Sequence, residues 1–103
     1  MEKKFKLRYI RLALSDLLDI VSYISNQLLA PQAASDLVGK LEEAISNLEH
    51  FPFSCRLYRY NHKLEDEYRV LVVENYLVFY VVYDDIVEIR RILYGKRDVE
   101  NLI

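Results

Sequence analysis

Arg69, Arg91 and Arg97 are the residues of this chain best suited to hold negative charge, since a guanidinium stays protonated at any accessible pH. A proton-transfer group working near neutral pH points to histidine, and the chain has two, His50 and His62. His62 and Lys63 fall on a polar stretch that a substrate could approach, whereas His50 falls at the expected end of a helix, where a cation complements the dipole. Tyr94 lies close behind Arg91 and offers a phenol as a further proton-transfer group. Such groups could stabilise an anionic transition state and move a proton without a metal. Sulfur chemistry is not expected, because Cys55 is the sole cysteine and has no neighbouring base. With glycines only at 39 and 95, a Gly-rich phosphate loop is excluded.

These candidates have to be positioned by elements that the hydrophobic periods reveal. Phe5, Leu7 and Tyr9 alternate with Lys4, Lys6 and Arg8, the period of a half-buried strand. From about Leu12 the period becomes helical, with Leu14, Leu17, Leu18, Val21, Ile24 and Leu28 predicting one buried face that runs to about Leu29. Pro31 suits a first helical position, and Ala34, Leu37, Val38, Leu41, Ile45 and Leu48 repeat the stripe in a second helix that ends before Pro52. Residues 68–74, 76–83 and 86–93 are rich in Val, Ile and Tyr and are separated by turn signals around Asn75 and at Asp84-Asp85. The expected class is α+β with order β-α-α-β-β-β, a helical hairpin packed on one face of a four-stranded, mainly antiparallel sheet.

The third of these four strands is apolar on both faces, yet only one face can meet the helices. Alternation puts Leu77 and Phe79 on the opposite face, and an alternating reading of the preceding strand adds Arg69, Leu71 and Val73 to it. Such a surface needs a cover, either a partner or the C-terminal tail together with the aperiodic 53–67 connection. Alternation likewise groups Arg91 with Val87, Ile89 and Leu93, and Arg90 with Glu88 in an exposed ion pair.

At 103 residues, 52% apolar and 29% charged, the chain is read as a single domain over 1–103 that needs no disulfide and is reduced and cytoplasmic. No apolar run reaches the roughly 18 residues of a membrane span, so a membrane role is not expected. Residues 1–11 carry a net charge of +4 and residues 12–55 a net charge of −5, within a total of −2. An overall acidic balance argues against tight unaided binding to nucleic acid, while leaving room for a local basic site on a larger target.

The element order and the run YRVLVVENYLVFYVVYDDIVEIRRILYGKRD at residues 68–98 resemble the RelE/ParE superfamily of bacterial type II toxin–antitoxin toxins. The most specific parts are Tyr68-Arg69, the strand from Tyr76 to Tyr80, and Gly95-Lys96-Arg97-Asp98. The resemblance implies a growth-arresting toxin, held by a co-expressed antitoxin whose extended segment wraps it as helix and strand. It also implies a target that is DNA gyrase in ParE-like members and ribosome-bound messenger RNA in RelE-like ones. The RelE pattern places basic residues on the second strand, an arginine on the third, another after the last strand and a tyrosine in the tail. Arg69 and Arg97 match two of these places, while the others fall on Leu71, Leu77 and Ile103.

With the nuclease set depleted, the resemblance favours the ParE-like branch. The alternatives are a metal-free, ribosome-dependent endoribonuclease using Arg69, Arg91, Arg97 and His62, and an inactive module that only binds antitoxin. No cofactor or metal is expected in any of these readings. Leu71, Val73, Leu77, Phe79, Tyr94 and Lys96 are the expected partner-binding residues, and self-association through that face would make a homodimer in place of a toxin–antitoxin hetero-oligomer. Replacing Arg97 with Ala is expected to relieve growth arrest at equal protein level with the fold intact, because a charge beyond a strand end adds little to a core. Induction in bacteria, with circular dichroism of the purified variant, checks both halves of this expectation.

Overall fold

The computed structural model describes residues 3–58, 66–96 and Leu102. Strand β1 (Lys6–Tyr9) leads directly into helix α1 (Arg11–Ser22), which widens into a π-helical turn at Tyr23–Gln27. Leu29, in the left-handed region at φ 52°, reverses the chain into helix α2 (Pro31–Ser46), and a 3-10 turn at Asn47–Glu49 closes the hairpin. Pro31 occupies the first turn of α2, where the missing N–H costs no helical hydrogen bond.

Strands β2 (Arg69–Val73), β3 (Tyr76–Tyr83) and β4 (Ile86–Tyr94) form an antiparallel meander, with Glu74 and Asp84 at positive φ in the two tight turns. β1 adds in parallel to β4, pairing Lys6 with Ile86 and Tyr9 with Ile89, so the sheet order is β1-β4-β3-β2. The class and element order match the sequence reading. Gly95 follows β4 and donates its N–H to the Asn75 carbonyl at 2.8 Å. A Cβ there would sit 3.2 Å from that same oxygen, which accounts for glycine in the closing motif.

The helix-facing core contains Leu37, Leu41, Ile45 and Leu48 of the second helical stripe, together with Val78, Tyr80, Val87, Ile89 and Ile92 of the sheet. The α2 stripe is therefore buried as its period predicts. The α1 stripe is buried only in part: Leu17, Val21 and Ile24 pack on the core, while Leu28 is exposed. Ala13, Asp16 and Ile24 are the buried positions of that segment, while Leu14 and Leu18 are 46% and 69% exposed. The helix is rolled about its axis by the Asp16 carboxylate, which accepts the Ile92 N–H at 3.0 Å and binds Arg91.

Register also corrects the faces assigned to the sheet. Arg69, Leu71 and Val73 pair with Tyr80, Val78 and Tyr76, so they share the helix-facing side and not the side of Leu77 and Phe79. A β-bulge lies between Phe79 and Tyr80, whose partners are Arg91 and Ile89 and leave Arg90 as the extra residue. It puts Arg91 and Leu93 in register with the outer-face residues Phe79 and Leu77, and separates Arg91 from the face of Val87 and Ile89. The outer face is itself covered around Phe79, which is 0% exposed. Tyr58 meets its ring edge-on at 5.0 Å, and Tyr68 and Leu102 complete the cluster. Tyr58 of the connection and Leu102 of the tail thus supply cover at Phe79.

Glu88, opposite Val81 on this face, is buried and multiply bonded, in contrast to the exposed pair expected of it. Its carboxylate accepts from the Tyr83 hydroxyl at 2.7 Å and from Arg90 Nε at 2.5 Å, with Arg8 Nε 3.4 Å away. Burial opposes its ionised form, but the Tyr83 and Arg90 hydrogen bonds and the Arg90 and Arg8 charges outweigh it, holding the Glu88 pKa below the usual range. Unfolded, this carboxylate titrates near about 4.3. The stabilisation is then complete above that pH and lost as the pH falls through the lower folded value. Acid unfolding of Glu88→Gln is expected to show a flatter loss of stability below about pH 4.5 than the parent; equal slopes would mean that the network contributes nothing to acid stability.

Candidate functional site

Arg69 opens β2 on the helix-facing side, beside Tyr80 of β3. Its Nη1 donates to the Cys55 carbonyl at 2.7 Å, and its guanidinium lies over the Phe53 ring at 5.0 Å. Tyr80 donates its hydroxyl to the Pro52 carbonyl at 2.8 Å, and burial, first among several causes, pushes that phenol well above its ordinary range, so it remains a donor. The strand edge fastens the same loop again, with Val70 N–H to the Arg56 carbonyl and Tyr58 N–H to the Tyr68 carbonyl. Arg69 is thus a pin between the sheet and the 51–58 loop.

Arg91 is bound still more firmly. Its Nε and Nη2 meet the two carboxylate oxygens of Asp16 at 2.7 and 2.9 Å, and Nη1 donates to the Leu102 carbonyl. The side chains of Arg91 and Asp16 are only 13% and 10% exposed. The hydrogen bond to Asp16 holds the Arg91 pKa above its ordinary value. A planar fork on a carboxylate in a partly dry setting is one of the strongest side-chain arrangements available, and it leaves Arg91 little freedom to follow a reacting phosphate. Arg90 is likewise occupied, by Glu88 and by Asp66 at 3.2 Å.

The sequence-predicted site residues therefore do not converge among the described residues. Arg69 and Arg91 serve separate structural contacts, and Lys96 is exposed just beyond β4. Arg97 and His62 lie outside the described residues. Tyr94 does enter a concave feature. An open cleft of about 590 Å³ lies between α1 with its π-helical turn and the ends of β3 and β4. Its walls carry Tyr23, Tyr76 and Tyr94, and its lining includes Asp16 and Asp19. Burial, then proximity to Tyr94 and Tyr23, raises the Tyr76 pKa. Apart from Tyr94, sequence reasoning passed over these residues, although two aspartates three apart in the mostly apolar run LALSDLLDIV are a legible anomaly.

The family model described as "ParE toxin of type II toxin-antitoxin system, parDE" matches residues 7–99, from β1 to beyond the end of β4. The chain belongs to this family. It is thus the toxin of a type II toxin–antitoxin pair, with a cognate antitoxin as its partner. No curated protein matches the chain. Among solved structures, the chromosomal ParDE toxin–antitoxin system of P. aeruginosa contains a similar chain, with a TM-score of 0.74 and 21% identity over 91% of this chain and 99% of that one. At that identity the likeness concerns the fold, and it extends to nearly the whole of both chains. No helix among the described residues of this ParE-family toxin is long and apolar enough to cross a membrane.

Arg91→Ala should leave the Asp16 charge buried and unpaired, at a cost of about 3–5 kcal/mol, which lowers the thermal midpoint by more than about 10 °C. Adding Asp16→Asn removes the stranded charge while keeping an acceptor for the Ile92 N–H. The double variant is therefore expected to melt higher than Arg91→Ala alone. Thermal unfolding of the three proteins measures the difference.

Proposed function

We propose that this ParE-family toxin acts in the cytoplasm by binding and inhibiting DNA gyrase, and that its antitoxin holds it idle in a hetero-oligomer. One observation carries the choice over the ribosome-dependent nuclease. The Arg91 guanidinium, which would have to replace the third-strand arginine missing at Leu77, is clamped by both oxygens of Asp16 and by the Leu102 carbonyl. Arg69 is similarly held by the Cys55 carbonyl. Neither is poised to collect the charge that develops on a phosphorane, and electrostatic stabilisation works only when the donors are already aimed at that charge. Inhibition by binding makes no such demand. It needs exposed surface, and this toxin presents it along α1 in Leu14 and Leu18 and beyond β4 in Lys96.

Supercoiling by purified gyrase and cleavage of messenger RNA on translating ribosomes, run side by side with the same toxin, test the proposal. The expected result is loss of supercoiling at concentrations that leave the messenger intact. Cleavage on ribosomes with supercoiling untouched would overturn the gyrase reading in favour of a nuclease. Growth unaffected by expression of the chain alone would instead mark a module that only binds antitoxin.

A further inference from the structure

The cleft at the end of β3 and β4 has features that the proposed toxic activity does not use. Tyr76 and Tyr94 stand side by side across the two strands, ring centroids 5.6 Å apart and planes inclined at 58°, and Tyr23 of the π-helical turn completes a three-ring wall. Among the described residues, none of the three hydroxyls has a hydrogen-bond partner in the protein. Ile20, Leu28 and Ile92 make the remaining surface apolar. An aromatic face attracts cations through its quadrupole, and an apolar floor suits the methylene stem of a long basic side chain.

Among the described residues, charge in the cleft has a single sign. Asp16 and Asp19 are its carboxylates, and among the described residues no Lys, Arg or His lines it. Asp16 is already neutralised by Arg91. Asp19, one helical turn further on, is exposed and makes no side-chain hydrogen bond or ion pair among the described residues. The last turns of α1 and of the π-helical segment also hold no basic residue, so the negative end of the helix is uncompensated beside Leu28. A volume of about 590 Å³ is within the usual range of ligand pockets and exceeds what one side chain fills, so neighbouring backbone can be admitted as well.

We infer that this cleft is a receptor for a basic side chain, a guanidinium or ammonium group carried by a partner polypeptide. The cationic head sits against Tyr23, Tyr76 and Tyr94 and pairs with Asp19, and its stem packs on Ile20 and Ile92. That the carrier is a polypeptide rests on the family's protein antitoxin; the cation site itself rests on the cleft alone and is independent of the gyrase reading.

The test uses the full chain and three small probes: the N-acetyl methylamides of arginine, lysine and norleucine, followed by NMR of the tyrosine ring resonances. The two cationic probes are expected to shift the Tyr23, Tyr76 and Tyr94 signals saturably. Norleucine, which matches the stem without the charge, is expected to bind at least about fivefold more weakly. Asp19→Asn, an exposed change that leaves the core untouched, should weaken the cationic probes by about threefold or more and leave norleucine unchanged. Tighter binding of arginine than of lysine would assign the head group as guanidinium. Norleucine binding as tightly as arginine, unchanged affinity in Asp19→Asn, or no saturable shift with either cation would overturn the proposal. None of these readouts requires the toxin to be active or its target to be gyrase.

Discussion

The Asp16–Arg91 pair is the interaction on which the arrangement of this protein turns. β1 pairs with β4 only as far as Tyr9 and Ile89, and the chain then leaves the sheet to become α1. Beyond that point the outer edge of β4 would present an unpaired N–H at Ile92. The Asp16 carboxylate supplies the acceptor, standing in for the strand that has ended. A carboxylate so deeply placed requires a countercharge, and Arg91 provides it with bidentate geometry. One side chain thereby completes a sheet edge, sets the roll of α1 and holds the Arg91 guanidinium in place.

Two consequences spread from this contact. The roll of α1 turns Leu14 and Leu18 outward, so the helix offers apolar surface to a partner while Ala13 and Ile24 fill the core. The same guanidinium also binds the Leu102 carbonyl, and Leu102 helps Tyr58 and Tyr68 to cover Phe79. The outer sheet face is thus covered around Phe79 by the chain itself, while Val72 on that face and Leu14 and Leu18 on the helix side remain exposed. For a ParE-family toxin whose partner is a protein, this relocates the surface on which recognition is to be sought.

The 51–58 loop shows the same economy on the other side of the sheet. Arg69 and Tyr80, which lie in register across β2 and β3, each bind a carbonyl of that loop, at Cys55 and Pro52. Buried polar groups at a sheet surface must find partners, and loop carbonyls need donors, so the two requirements satisfy one another. Arg69, a candidate for chemistry in the sequence, here ties the loop to the sheet.

The amino-acid sequence alone determines the element order, the two tight turns, the buried face of α2 and the α+β class, because period, turn residues and chain length are local properties. The YRVLVV, YLVFY and GKRD segments point as well to the toxin superfamily that the family match supports. Which face of β2 is inward, however, depends on register. Which side of β4 carries Arg91 depends on a bulge that alternation cannot foresee, since one extra residue inverts every assignment on one side of it. The roll of α1 was illegible for a related reason: Leu14 and Leu18 outweigh one aspartate in any hydrophobic average, and only the partner 75 residues away makes burial of Asp16 favourable. The partners of Arg69 and Arg91 depend in the same way on tertiary structure, which alone brings the Cys55 carbonyl and the Asp16 carboxylate within reach.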